Sequence, residues 1–171
     1  MSPLCHVQLE HFWQQDHFVD DLSQPIWPSG DAQILPFWCG AFDHNIASRQ
    51  RWDTVLYWLD EQGLNTPLPC CYGVLGQYNR RMHLLNWLNP WQQNTVWTCL
   101  GLHFLEVLRD FSHPRFIIEL ERYRLLVEQL GCFPEVLNPK NSQLYEGALI
   151  LSEDSMLWAA NLWSMLNKSQ V

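Results

Sequence analysis

The side chains in this chain suited to chemistry are aromatic and acidic rather than basic or metal-binding. Ten Trp, eight Phe and five Tyr make up 13% of the residues. Tryptophan is bulky and carries a donor that needs a partner, so most cores use it sparingly. Two readings follow: a tryptophan-rich core, or a pocket walled by flat aromatic faces of the kind that hold sugars and ring-shaped ligands. The carboxylates fall into local settings. Asp31 follows Gly30, where it fits an N-cap or Asx-turn residue. Asp20-Asp21 reads as a solvated turn, and Glu153 and Asp154 as charges at a helix N-terminus. Glu135 lies between Pro134 and an apolar pair in a long connection, not on a solvated helix face. Its readings are an ordinary loop carboxylate that caps or pairs locally, or a group whose pKa an aromatic wall raises toward a working range.

Cysteine and histidine point away from metal chemistry. The six cysteines, Cys5, Cys39, Cys70, Cys71, Cys99 and Cys132, include no CxxC, and the vicinal Cys70-Cys71 is not a zinc spacing. The seven histidines form neither HxxxH nor HExxH. No metal and no cofactor are expected, and the thiols are expected to be buried and free.

The elements that must position these residues are helices. From Ala47 to Gln62, Trp52, Val55, Leu56 and Leu59 recur at helical spacing, and Gly63 stops the run. Thr95 to Asp110 repeats the pattern with Trp97, Leu100, Phe104, Leu105 and Leu108. After a break at Phe111-Ser112-His113, Pro114 suits a first helical position, Phe116 to Leu130 carry an apolar stripe, and Gly131 suits the C′ residue. These two helices are expected to pair as an αα-hairpin. Ser152 is expected to cap a last helix that buries Met156, Ala160 and Trp163. Weaker helical patterns lie near Leu4–Gln15 and Ile34–Phe42, and Val136-Leu137 and Leu149-Ile150-Leu151 could form short strand pieces. The connections Leu64–Gln93 and Gly131–Leu151 exceed the roughly 12–15 residues usual for structureless loops in compact domains. They are rich in Trp, Tyr, Asn and Gln, so a site is expected there.

Charge and size narrow the classes. With 171 residues and 47% hydrophobic content the chain suits one domain, 1–171, with a real core. Eighteen acidic against ten basic residues give a net charge of −8, and the most basic run is Arg80-Arg81. Binding to nucleic acid or an anionic membrane is therefore not expected. No apolar stretch reaches the roughly 18–20 residues of a membrane span, and Met1 to Glu10 lack a basic-then-apolar leader pattern, so a cytoplasmic protein is expected.

Several segments resemble the C-terminal half of the six-hairpin, (α/α)6-barrel glycosidases, notably the glycogen-debranching, amylo-α-1,6-glucosidase-like branch. They are Phe18–Phe42 with Ser29-Gly30-Asp31-Ala32 and Leu35-Pro36-Phe37-Trp38, Gln93-Asn94-Thr95-Val96-Trp97, Phe133-Pro134-Glu135-Val136-Leu137-Asn138-Pro139, and Ser152–Leu166 with Trp158-Ala159-Ala160. Residues 1–22 match poorly. The resemblance implies an all-α fold of helical hairpins, about half of an (α/α)6 toroid, with long aromatic-rich loops. It implies hydrolysis of an α-glucoside or related oligosaccharide by two carboxyl groups, one protonating the leaving oxygen and one activating water or attacking the sugar. Glu135 takes the general-base position, and Asp31 serves as substrate contact or acid. The family's own acid would lie upstream of the matched segments.

Trp38, Trp91, Trp97 and Trp158 are then the aromatic subsite candidates, with core packing as the alternative for each. Gln92, Gln93 and Asn94 supply amides that donate to and accept from sugar hydroxyls. Twelve helices at typical lengths need at least roughly 190 residues, so the chain amounts to about half a barrel. A second copy, or a complementing N-terminal half, is expected to cover the exposed helix faces. Alone, the chain is expected to be inactive. A non-catalytic carbohydrate-binding module and a helical interaction protein are the alternatives.

Overall fold

The computed structural model describes residues 9–23, 29–73, 95–147, 151–154 and 156–168. Among them the fold is mostly α. The elements run β1 (Trp13–Gln14), β2 (His17–Phe18), α1 (Gly30–Trp38), α2 (Ile46–Glu61), β3 (Val96–Trp97), α3 (Thr98–Asp110), α4 (Arg115–Leu130), β4 (Val136–Leu137) and α5 (Ala159–Lys168). Residues 9–12 are also helical.

Helix α3 is the central strut. Leu100, Leu102, Phe104, Leu105, Val107 and Leu108 are all buried, so it is covered on most sides. It packs most extensively on α1 and also meets α4. Trp52 of α2 is fully buried, with its ring centroid 4.9 Å from Phe37 and 5.7 Å from Phe104. Asn45 caps α2, its Oδ1 accepting from the Ser48 N–H at 2.9 Å. Gly131 ends α4 in the left-handed region at φ 68°, as the sequence predicts.

The αα-hairpin of α3 and α4 closes at one point. Tyr123 of α4, fully buried, donates its hydroxyl to the Pro69 carbonyl directly over Gly101 of α3. A Cβ on Gly101 would strike both groups. Beside this contact the buried carboxylate of Glu119 accepts from Arg115 at 3.0 Å and Arg122 at 2.5 Å. Arg115 reaches on to Asp60 of α2 at 2.6 Å, and Arg122 to the Asn65 carbonyl at 3.1 Å. The buried charge is thereby paired and hydrogen-bonded, the condition under which burial is tolerated.

The N-terminal segment is fixed by a side chain that imitates a strand. Gln33 of α1 is buried; its Oε1 accepts from the Phe18 N–H at 2.8 Å and its Nε2 donates to the Phe18 carbonyl at 2.7 Å. The hairpin pairs Trp13 with Phe18 and Gln14 with His17 around a two-residue turn in which Gln15 takes φ 64°. Arg51 of α2 clamps the other side, paired with Glu10 at 2.6 Å and stacked 4.7 Å from the Trp13 ring.

Three expectations need correction. Of the helix expected near Leu4–Gln15, residues 9–12 are helical and residues 4–8 lie outside the described residues, but Trp13 and Gln14 pair as a strand because Phe18 is held extended by Gln33. Ser152 does not cap the last helix. Its Oγ accepts from the Val136 N–H at 2.9 Å and its N–H donates to the Tyr145 carbonyl at 2.9 Å, and α5 begins only at Ala159. Helix α5 buries Leu162 and Met165; of the residues expected on its buried side, Met156 packs partly buried on the core just before the helix, whereas Ala160 and Trp163 are exposed, Trp163 by 66%. The pair Leu149-Ile150 lies outside the described residues.

Gly101→Ala is expected to cost at least about 2 kcal/mol through overpacking, read as a lowered urea midpoint. Tyr123→Phe, which strands the Pro69 carbonyl, should cost about 1–3 kcal/mol. The double variant should be less destabilised than the sum, because both changes act on one contact. Full additivity would disprove the shared contact.

Candidate functional site

Helices α1 and α3 both begin in a layer of extended backbone contributed by several connections. Ser29 bridges Gly73, and the Gly30 N–H donates to the Tyr72 carbonyl at 2.8 Å. The Tyr72 N–H donates to Thr95 at 3.0 Å, and Cys71 bridges Val96. Strand β3 pairs antiparallel with β4, Val96 with Leu137 and Trp97 with Val136. Beyond β4 the layer continues through Leu137 to Leu144. Gly30 is obligatory here, because a Cβ would meet the Cys71 carbonyl and Cys70 Sγ.

Several of the sequence-nominated residues sit on this layer. Asp31 occupies the first turn of α1, where Ser29 is the N-cap. Trp97 closes β3 and precedes α3, with its ring centroid 6.2 Å from that of Tyr72. Glu135 is half-buried immediately before β4. Its backbone is held on both sides: its N–H donates to Glu153 at 2.8 Å, and its carbonyl accepts from the Thr98 N–H and Oγ1, each at 3.1 Å. The connected order along the layer is Asp31, Tyr72, Trp97, Glu135.

Two candidates lie elsewhere. Trp38 ends α1, eight residues beyond Gly30, about 12 Å along the helix axis. It is 43% exposed, packs its ring 3.9 Å from His103 and donates Nε1 to Glu106 at 2.6 Å. Trp158 is exposed in the turn before α5. Trp91, Gln93 and Asn94, and with them Gln92, lie outside the described residues.

The residue that the sequence does not single out is Asp20. Ser29 Oγ lies 2.6 Å from Asp20 Oδ1 and is also hydrogen-bonded to Asp31 Oδ1. The Asp20 residue keeps solvent access, yet protein packed around its carboxyl withdraws it from water and raises its pKa to about 6, with Asp31 and Asp21 adding to the rise. The bond from Ser29 opposes that shift without cancelling it. One hydroxyl has one proton to give and now faces two carboxyl oxygens. Asp20, with its pKa raised to about 6, is the carboxyl that takes up a proton as pH falls, and that uptake relieves the competition for the one hydroxyl proton. The same pair of carboxylates helps raise the Tyr72 phenol to about 12, after burial as the main cause.

Asp20 also lines a cavity of about 510 Å³ between the N-terminal segment and α1. Phe12, Phe18, Val19, Leu35 and Pro36 form much of its wall. Among the described residues no tryptophan lines it, so the aromatic-walled pocket suggested by composition is not this cavity. Burial pushes the Cys71 thiol up to about 12 and Cys70 well above its usual range, so neither is a poised nucleophile. Described cysteines Cys39, Cys70, Cys71, Cys99 and Cys132 are free thiols. Among the described residues no three His, Cys, Asp or Glu side chains converge to hold a metal ion, and no helix is long and apolar enough to cross a membrane.

No family model matches the chain, and neither the curated proteins nor the solved structures contain a match to it.

The raised Asp20 carboxyl carries a signed pH effect. Between its ordinary value near 3.8 and about 6 the folded state binds more protons than the unfolded state. Stability therefore falls as pH rises through that window. Asp20→Asn is expected to remove that contribution and to raise the urea midpoint at pH 7.5. An unchanged slope between pH 4 and 6.5 in the variant would contradict the assignment.

Proposed function

We propose that the layer over the starts of α1 and α3 is the sugar-binding face of a glycoside-hydrolase-like domain of the six-hairpin kind. Its substrate class is an α-glucoside or related oligosaccharide. One observation carries the reading: a carboxyl pair sharing a serine hydroxyl, with one member's pKa near 6, lies on the same backbone layer as Glu135, with Tyr72 and Trp97 between them. Two carboxyl groups are what glycoside cleavage needs. Asp20 is the proton source, and its proton passes through Ser29 Oγ and Asp31 to the glycosidic oxygen, which leaves Asp20 ionised. Glu135 takes a proton from the water that attacks the anomeric carbon. The fixed backbone of Glu135 supports the role, because a base must be held within reach of its water.

The half-toroid reading draws support from α4. Ile117, Ile118 and Leu125 are 57%, 62% and 51% exposed on a helix whose other side is buried. A second copy of the chain, or a complementing half, would cover them and complete the cleft. A non-catalytic carbohydrate-binding role is favoured by a different fact: the two aspartates are held to Ser29 rather than standing free.

Light scattering combined with glucose release from maltose-, isomaltose- and trehalose-type substrates tests this. The associated form is expected to hydrolyse one of them, and Glu135→Gln to lower turnover at least about 100-fold with binding retained. Binding without turnover, indifferent to Glu135→Gln, would establish the binding module instead. Neither binding nor turnover in any associated form would remove both readings.

A further inference from the structure

We propose that His113 is a proton-operated latch at the corner between α3 and α4: neutral, its ring fastens the first turn of α4, and protonated it lets that turn go. The latch needs neither Glu135 nor a second chain, so it stands apart from the glycoside reading. The corner is the short run Phe111-Ser112-His113-Pro114, in which Ser112 takes φ 52°. His113 serves both helices through its backbone. Its N–H donates to the Leu108 carbonyl near the end of α3 at 2.8 Å, and its carbonyl accepts from the Phe116 N–H of α4 at 3.0 Å.

The ring adds a third bond, and that bond fixes where its proton sits. A helix start leaves N–H groups without partners inside the helix. Pro114, at the N-cap of α4, has no side-chain acceptor to offer them. His113 Nδ1 accepts from the Arg115 N–H at 3.1 Å instead. A backbone N–H can only donate, so Nδ1 presents a lone pair and the proton of the neutral ring is on Nε2. Nε2 lies 3.4 Å from Asp53 Oδ1 of α2, a carboxylate suited to that N–H. The neutral ring thus bridges α4 and α2. A second proton has only Nδ1 to go to, where it meets the Arg115 N–H head on. It breaks the cap and sets a positive charge at the positive end of the α4 dipole.

The surroundings set the balance. The charged groups acting on the ring are Asp53 from α2 and Arg115 from α4, and Arg49 of α2 lines the same cavity of about 120 Å³ as the ring. Burial lowers the pKa of His113 from its ordinary 6.5, with Asp53 opposing the shift and Arg115 reinforcing it. Stability from the latch is therefore full above pH 6.5 and is lost as pH falls from there through the lowered value. Acid releases the turn that carries Ile117 and Ile118, both more than half exposed. Asp20 moves global stability the other way as pH falls below about 6, so the readout has to be local.

The test is nuclear magnetic resonance of the full chain labelled with nitrogen-15. At pH 7.5 the His113 ring is expected to be protonated on Nε2 alone, and on titration to take its second proton below pH 6.5. From one pH unit above that midpoint to one below it, the hydrogen-exchange protection of the Arg115 amide should fall at least about fivefold, as for a lost helix cap, and that of Leu105 in α3 much less. His113→Asn keeps an acceptor at the corner but cannot titrate, so Arg115 should stay protected across the same range. Should that variant fold poorly, the unaltered chain decides alone. A neutral ring protonated on Nδ1, a midpoint at or above 6.5, or a ring that stays neutral until the chain unfolds would each overturn the proposal. So would Arg115 protection indifferent to pH, an equal loss at Leu105, or an undiminished pH dependence in a folded His113→Asn.

Discussion

Backbone laid across the starts of α1 and α3 has to find partners for its own N–H and C=O groups, because buried peptide groups without them are costly. The long connections meet that demand by pairing with each other in short runs: Ser29 with Gly73, Cys71 with Val96, β3 with β4, and Leu137 with Leu144. None of these runs is long enough to stand as a sheet by itself. Each is held because the helices beneath fix its ends. Thr98, the first residue of α3, spends its N–H and its hydroxyl on the Pro134–Glu135 connection, where its Oγ1 donates to Pro134 at 2.6 Å. The position of Glu135 is therefore a consequence of backbone satisfaction at a helix start, and so is that of Asp31, one residue past the Gly30 bond to Tyr72.

The same demand explains why α3 is so thoroughly buried. A helix surrounded by α1, α4 and the layer needs small residues where neighbours come closest, and Gly101 sits under the Tyr123–Pro69 contact. That bond satisfies a carbonyl of the connection with a side chain from α4, so it ties the layer to the helical hairpin as well as closing the hairpin. The Glu119 network does the equivalent with charge, joining α4 to the end of α2 and to the Asn65 carbonyl. Helices and layer are consequently one cooperative unit rather than a scaffold with ornaments.

Legibility from the sequence follows the range of the interaction. Helices α2, α3 and α4 are visible in apolar periodicity, and the Gly131 terminus in a single residue, because both signals are local. Ser152 misleads for the opposite reason. A serine followed by Glu153 and Asp154 has the form of a helix start, but Val136 and Tyr145, distant in sequence, claim its hydroxyl and N–H. Trp163 misleads by phase. Ala160 and Trp163 share one face of α5 and Ala159, Leu162, Met165 and Leu166 the other, and only the packing decides which faces the core. Asp20 was out of reach for a third reason. Beside Asp21 it has the look of a solvated turn, and nothing nearby in sequence announces that Gln33 will anchor Phe18 and bring Asp20 onto the α1 N-cap.

That arrival concentrates the chemical interest of the molecule in a few atoms. A serine at a helix start would ordinarily accept from the backbone, and Ser29 still receives the Ala32 N–H, at 3.4 Å. With Asp20 on one side and Asp31 on the other, its hydroxyl must also mediate between two carboxyl groups. If both were ionised, one oxygen–oxygen contact would lack a proton and the two charges would repel across a single atom. Protonating Asp20 removes both penalties, and the burial that raises its pKa makes that protonation accessible near neutral pH. The aspartate bonded to Ser29 is also the one that lines the apolar cavity beside α1.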